Sequence, residues 1–459
     1  MNFPVFGFFR WLVTWNGVVT RRQYAASGFV FTAIKFLIDR HVAGSYGVEW
    51  NVWNYFVPTR ANSIFGTVNA HMYATLWAIA LPFFWVGLSL TLRRLRSARL
   101  QPGWIFLFFV PVANLVFFLT LCVLPDREDA RQLREPNEGG YATAITGIMV
   151  SVALCMTAAV LSISGLHLYG NAVFLGVPFF LGFISSAVYN LPRSHKPWSS
   201  AVVGVATVVV AGLLLFGFAY EGLVCLLMAM PLALPLAIAG SLLAERLLAR
   251  RRGPANPTMA AWIFVLPLAI LGEYEMHATP PVLHVTTSIE IAAPPEVVWQ
   301  NVISFPPLAP PQDWVFQTGI AYPTAGVIYG HGVGAVRHCK FSTGEFVEPI
   351  TVWDEPQLLA FDVAEQPMSM RELSPWKITP PHLERNDMRA LRGQFRLVAL
   401  PNGHTRLEGT TWYQNYFWPQ PYWRVWSDFI VHRIHRRVLG HVKRQSEAQF
   451  STVMHNIVR

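Results

Sequence analysis

Six stretches of this chain run for about 20 residues or more without one Asp, Glu, Lys or Arg: 72–92, 103–124, 141–166, 169–191, 199–220 and 223–244. A bilayer core takes about 20 mostly apolar residues per helix, so each is long enough to cross one. Two shorter candidates flank them. Residues 24–38 contain Lys35, which is placed to snorkel toward an interface, and residues 257–272 are also apolar. One such run can be the core helix of a soluble protein; six in succession cannot. Composition agrees: 53% of the 459 residues are hydrophobic and 13% charged, against about 25% charged in an average soluble chain. A disordered chain and a wholly soluble globule are both excluded.

Charge divides the chain. Residues 1–273 hold 19 basic and 10 acidic side chains, and residues 274–459 hold 16 of each, so the whole excess of +9 lies among the apolar runs. That is the signature of a positive-inside bias. A nucleic-acid-binding protein would carry its basic residues on a soluble face, so no nucleic-acid partner is expected. Cys122, Cys155, Cys225 and Cys339 have neither disulfide nor zinc-finger spacing. No cleavage site follows a short apolar core near the start, so a cleavable signal peptide is not expected.

The basic clusters are Arg21–Arg22, Arg93 to Arg99, Arg193 with Lys196, and Arg246 with Arg250 to Arg252. Eight simple crossings cannot put them all on one side. If 103–124 is a full span, the C-terminus is cytoplasmic and the Arg250 cluster violates the rule. If it folds back at Pro111 to Asn114 as a re-entrant hairpin, the C-terminus lies outside. The cytoplasmic side is the expectation adopted, in a bacterial inner membrane. The firm spans hold no ionisable residue of the kind that marks ion-coupled transport.

Composition changes at residues 273–282, a polar, Pro-bearing linker between a polytopic domain (1–272) and a soluble domain (283–452). Residues 284–291 alternate and are rich in β-branched side chains, a strand signal. A short helix starts after Pro294 and Pro295. Strands follow at 334–341, 346–353, 358–363, 391–400 and 405–413. A long amphipathic helix, about 421–450, closes the chain, with Trp423, Trp426, Ile430, Ile434 and Val438 at helical spacing. An antiparallel sheet wrapped on one helix is an α+β layout, and a space between them suits an apolar small molecule.

Two resemblances follow from these residues. Trp15-Asn-Gly-Val-Val-Thr-Arg-Arg-Gln-Tyr24, then Leu92-Arg-Arg-Leu-Arg96 and Gly103-Trp104, resemble the YhaH-type bacterial membrane family over about residues 10–125; Arg96-Ser97 stands where that family has His-Asp. That family has no established activity, so the resemblance implies topology and no chemistry. Ile289-Glu-Ile-Ala-Ala-Pro-Pro-Glu-Val-Val-Trp299 resembles the opening of SRPBCC domains, the START-like or polyketide cyclase-like helix-grip superfamily. Gly332-Val-Gly-Ala-Val-Arg337, Pro349-Ile-Thr-Val-Trp-Asp-Glu-Pro356 before Leu359-Ala-Phe361, and Thr405-Arg-Leu-Glu-Gly409 follow in the family's order. This resemblance covers about 283–450 and implies an α+β helix-grip fold with an internal pocket for an apolar ligand. It does not choose between carriers and cyclase-type enzymes.

Charged residues are rarely buried, which orients the strands. Leu407, Gly409, Thr411 and Tyr413 face inward; Phe361 and Val363 share a face opposite Asp362; Leu391, Phe395 and Leu397 share one opposite Arg392 and Arg396. Trp426 and Ile430 are the expected helix contributors. The expected ligand-binding residues are therefore Phe361, Val363, Leu391, Phe395, Leu407, Thr411, Tyr413, Trp426 and Ile430, with simple core packing the competing reading for each. Residues 365–389, with Pro367, Met368, Met370, Pro375, Trp376, Pro380 and Pro381, read as a lid or a membrane-touching surface. His432, His435 and His441 lie beside Arg433, Arg436 and Arg437, which repel a cation, so no metal is expected. That basic face reads as solvated or in contact with anionic lipid. No catalytic triad or cofactor motif is legible. Cys339 reads as a small core residue. His338, Glu348 and Glu408 are the polar strand residues that could serve a cyclase-type reaction, with exposure at the surface the favoured reading. The expected function is binding of a lipid or other apolar molecule beside the bilayer. A cyclase or dehydratase acting in the same pocket and a scaffold with an unidentified protein partner are the alternatives.

Overall fold

A computed structural model describes residues 11–55, 70–100, 102–109, 111–126, 138–218, 220–249, 257–276, 279–374 and 378–457. The chain divides into two compact units. One comprises residues 1–168, 172–271 and 374–378; the other comprises 169–171, 272–373 and 379–459.

The first unit is helical: α1 Arg21–Ser45, α2 Ala70–Ser97, α3 Pro111–Val123, α4 Glu138–Val160, α5 Val177–Asn190, α6 Pro197–Gly217, α7 Leu223–Ala249 and most of α8 Pro257–Met276. Among the described residues, five segments are long and apolar enough to cross a bilayer: Thr75–Ser97, Thr143–Gly165, Ala172–Asn190, Pro197–Gly217 and Leu223–Ala249. The stretch 103–124 is not one of them. It is broken into a 3-10 helix, Pro102–Phe109, and α3. Proline at position 111 has no N–H to continue the first helix, and the 13 residues of α3 rise only about 20 Å. The helix expected from 169 begins at Ala172 with a π-turn that leads into α5.

The helices meet where side chains are smallest. A Cβ on Gly182 of α5 would lie 2.0 Å from the Ala237 carbonyl oxygen of α7, and one on Gly240 of α7 would lie 2.1 Å from that of Phe179. Ser186 Oγ donates to the Ser241 carbonyl (2.8 Å), and Ser151 Oγ of α4 donates to that of Leu181 (2.8 Å). Small residues with hydroxyls bonded across the seam are how apolar helices associate without a hydrophobic driving force.

The arginines assigned to the cytoplasmic side are structural. Arg93, Arg94 and Arg96 are buried. Arg94 donates to the Leu121 carbonyl (2.9 Å), the Leu124 carbonyl, Ser97 Oγ (2.8 Å) and Asp126 (2.6 Å). Arg93 donates to the Trp11 carbonyl (2.7 Å) and Arg96 to that of Trp15. They satisfy carbonyls at the end of α3 and in the entering chain, so they do not count as free charges in an orientation rule. Lys35 pairs with buried Asp39 one turn away at 2.5 Å. Residues 250–256 lie outside the described residues, and the Arg250 to Arg252 cluster with them.

The second unit is an antiparallel seven-stranded sheet in the order β1-β7-β6-β5-β4-β3-β2. The strands are β1 Leu283–Ile291, β2 Pro323–Tyr329, β3 Val336–Phe341, β4 Gly344–Asp354, β5 Leu358–Asp362, β6 Met388–Ala399 and β7 Thr405–Asn415. Three short helices, α9 Pro295–Ile303, α10 Trp314–Gln317 and α11 Pro381–Glu384, interrupt them, and α12 Gln420–Ile457 closes the unit. Helix α12 lies against β1, β7 and β2, and α9 packs on α12 and β6. The sheet therefore grips one long helix, as its alternation implies. Strand β2, with Pro323 and Gly326 inside it, is an addition to the expected strands. Three left-handed glycines, Gly330, Gly332 and Gly334, turn the chain from β2 into β3.

Candidate functional site

The core of the grip is apolar: Ile291, Val298, Trp299, Val302, Phe305, Ile350, Leu359, Phe361, Leu397, Leu407, Leu439 and Val442 pack together. Strand register places the residues expected at the site. Leu407, Thr411 and Tyr413 share the inner face of β7. Phe395 is paired with Gly409 across β6 and β7, and Phe361 with Gly393 across β5 and β6. Phe361 and Phe395 approach at 6.1 Å between ring centroids. A Cβ at Gly393 would lie 2.6 Å from the Phe361 ring, so that ring uses the space glycine leaves.

Four expected residues are placed differently. Between Ala390 and Arg392 the register shifts, and Leu391 is the extra residue of a bulge. Val363 lies just past the end of β5 and donates its N–H to the Leu391 carbonyl. Trp426 and Ile430 are half-buried on the flank of α12. The helix meets the sheet through Ser427, Val431, His435, Val438, Leu439 and Val442. Stepping by four from Trp426 drifts off this face.

The inner face also holds a charge pair, and one member is Glu348, a residue expected at the surface. Arg337 of β3 and Glu348 of β4 are register partners, joined at 2.5 Å between Nη1 and Oε2. Arg337 is 2% exposed and Glu348 5%. The guanidinium lies over three rings, Phe361 at 5.2 Å, Phe395 at 5.3 Å and Phe305 at 5.7 Å. Burial pushes the Glu348 carboxyl above its ordinary value, against the pull of Arg337. Burial also opposes the Arg337 charge, but Glu348, together with Cys339, more than offsets this and raises the guanidinium above its ordinary value. Its Nη1 donates to Glu348, and its buried Nε has no partner among the described residues. The indole N–H of Trp299 and Nε2 of His441, also buried, are likewise unpartnered. One sequence signal exists for the pair: Ala335, Arg337, Cys339 and Phe341 alternate along one strand face, so an arginine sits in an apolar series.

Cys339 shares this face. Burial pushes its thiol up to about 12, with Glu348 adding to the effect and Arg337 opposing it, which makes it an inert core residue. His338 and Glu408 face outward, paired with Glu345 (3.2 Å) and Arg406 (2.9 Å).

On α12, His432 and His435 both point their Nδ1 at the Thr287 hydroxyl of β1, at 2.7 Å and 3.0 Å. The other ring nitrogen of His435, Nε2, lies 2.8 Å from the Thr411 hydroxyl of β7. Burial, then His432 beside it, lowers the His435 pKa to about 4, so the ring is neutral at pH 7. The basic face expected beside these histidines is partly tied down. Arg433 pairs with Asp313 (2.9 Å), and Arg437 donates to the Pro323 and Ala309 carbonyls (2.9 and 2.7 Å). Arg436 remains exposed. The segment expected as a lid is pinned at its start. Glu365 bridges to Val347 and Met370 to Ile320, and Gln366 bonds Met388 and Ala390. Pro375 and Trp376 lie outside the described residues.

No family model matches the chain, and no curated protein matches it. Among solved structures, it is similar to a protein from Nitrosospira multiformis (18% identity, 37% of this chain and 96% of that one, TM-score 0.23). It is also similar to norcoclaurine synthase from Thalictrum flavum bound to a transition-state analogue (12%, 38% and 99%, TM-score 0.25). An aromatase/cyclase from Streptomyces sp. R1128 is a third (16%, 36% and 94%, TM-score 0.24). Likeness this slight carries no weight for function, and the fold described above rests on its own strand order and register.

Proposed function

We propose that this chain is a membrane-anchored protein that binds an apolar small molecule inside its helix-grip unit and holds that molecule's oxygen-bearing end at Arg337 and Glu348. The observation that carries the reading is the buried pair itself. An ion pair taken out of water is weak evidence for stability, because apolar residues of similar volume often serve as well or better. Buried donors are nearly always satisfied, yet the buried guanidinium Nε has no hydrogen-bond partner among the described residues. A hydroxyl or carbonyl oxygen supplies the missing acceptor, and a hydroxyl can also donate to the carboxylate. The phenylalanine rings around the pair suit an apolar body. Phe361, Phe395, Leu407 and Thr411 would line the site, with Tyr413 closing one end. The apolar helices up to α8 would serve as the anchor and the short segment between α8 and β1, rather than the whole of 273–282, as the tether, keeping the site near its membrane-dissolved ligand at high effective concentration.

The test is photolabelling of the full chain in lipid bilayers with a diazirine-bearing long-chain alcohol and with the matching alkane. The alcohol should label peptides of β5, β6 and β7. Labelling should fall at least about tenfold in the double variant Arg337→Met/Glu348→Leu, the loss expected for a charge-assisted hydrogen bond. Labelling confined to the apolar helices, or equal for both probes and both proteins, would contradict the reading.

A further inference from the structure

Four side chains that the binding reading leaves mostly unused touch in a row: His432, Thr287, His435 and Thr411. Thr287 and Thr411 lie on the paired strands β1 and β7 and face α12. His432 is half-buried, and His435 is buried between the two threonines. A hydroxyl has one proton to donate and a neutral imidazole has one N–H. The Thr287 oxygen stands between two Nδ1 atoms, so it donates to one and accepts from the other. Two arrangements satisfy every group. In one, His432 Nδ1–H donates to Thr287, Thr287 donates to His435 Nδ1, and His435 Nε2–H donates to Thr411. In the other, every donor and acceptor is reversed. Passing between them moves one proton along the row without moving a heavy atom.

We infer that this row is a proton relay that makes the interior of the grip an acid–base site, with His432 as the entry and the Thr411 hydroxyl as the end that meets the ligand. The inference rests on the binding reading above and gives the bound molecule a chemistry: an apolar body whose one oxygen is held at Arg337 and Glu348 and whose second oxygen, that of a ketone or its enol, lies beside Thr411. In the donating direction, Thr411 O–H gives its proton to the ligand oxygen. His435 Nε2–H restores the hydroxyl, Thr287 restores a proton at His435 Nδ1, His432 Nδ1–H restores Thr287, and His432 takes one proton from water at Nε2. The ligand gains one proton, solvent loses one, and nothing is oxidised or reduced. The row now stands in its reversed arrangement, which takes a proton back from the ligand. As the row protonates the ligand oxygen, a water molecule takes the proton from the α-carbon and leaves the enol; in the return step the reversed row takes the enol proton while water gives one to the α-carbon, so every proton is accounted for and the α-hydrogen has exchanged with solvent.

Two measurements test this on the full chain in lipid. The first is solid-state NMR of protein labelled with 15N-histidine, which reads the tautomers directly and needs no ligand. His432→Phe should change the tautomer ratio of His435 by about threefold or more, as coupled neighbours do. The effect should vanish in a Thr287→Val background and persist in a Thr287→Ser background, which keeps the hydroxyl. A His435 tautomer indifferent to His432 overturns the relay. The second uses 6-hydroxy-2-tetralone, which has a phenol for the Arg337–Glu348 end and a ketone for Thr411, as the probe and follows exchange of its α-hydrogens with deuterium oxide. The natural protein should exchange them at least about tenfold faster than Thr287→Val or Thr411→Val, a conservative share of acid–base catalysis. Equal rates overturn the relay. Failure of 6-hydroxy-2-tetralone to bind any variant, read by saturation-transfer NMR, overturns the binding reading instead.

Discussion

At the scale of single residues, the interior of the grip follows an uneven rule. Placing charge outward orients β7 correctly, because Arg406 and Glu408 pair with each other on the outer face. The same rule misplaces Glu348, because a carboxylate stays buried when an arginine is its register partner. Pairing across strands is not visible in one strand's alternation. The pair makes a sharp energetic prediction. Arg337→Met alone strands a buried carboxylate and should cost about 3–5 kcal/mol, while Arg337→Met/Glu348→Leu together should be neutral or stabilising. Denaturant unfolding followed by tryptophan fluorescence separates the two. His435 predicts a pH dependence. Its folded pKa of about 4 lies below the ordinary 6.5, so the unfolded chain takes up a proton that the folded one refuses. Its contribution is intact above pH 6.5 and is lost as pH falls toward 4, at about 1.4 kcal/mol per pH unit. In His435→Gln the slope across that window should flatten by one proton, as measured by unfolding at stepped pH.

At the scale of elements, periodicity locates what it can. The long runs, the closing helix and six of the seven strands carry their own patterns. The features it misses are those that break a pattern. Pro323 and Gly326 hide β2, the bulge at Leu391 changes the parity of β6, and Pro111 divides an apolar run that looks continuous. The helix row that packs on the sheet also differs from the expected one: α12 meets the sheet through the row of Val431 and His435, with Trp426 and Ile430 half-buried on its flank. Helix seams give a further prediction. Gly182→Leu drives a side chain into the Ala237 carbonyl, and Gly240→Leu into that of Phe179. Each should destabilise the chain by about 1–3 kcal/mol or more. Gly44→Ala in α1, where a Cβ meets nothing within 4 Å, should be neutral or slightly stabilising. Thermal unfolding in detergent compares the three.

At the scale of the molecule, two units of opposite character share one chain, and the uneven distribution of charge along the sequence already marks the division between them. Orientation across a membrane is less legible. The Arg93 cluster spends its charge on backbone carbonyls, and one apolar run is divided between a 3-10 helix and α3. If the helices anchor the chain, it should stay with the membrane pellet through an alkaline carbonate wash and leave it only in detergent. The most direct measurement of the binding claim is native mass spectrometry of the full chain ejected from detergent. The natural protein should carry one bound apolar molecule with an oxygen-bearing end. Arg337→Met/Glu348→Leu, equally folded, should carry none. A natural chain that flies bare, or a variant that keeps the same adduct, would contradict the binding of a ligand at this pair.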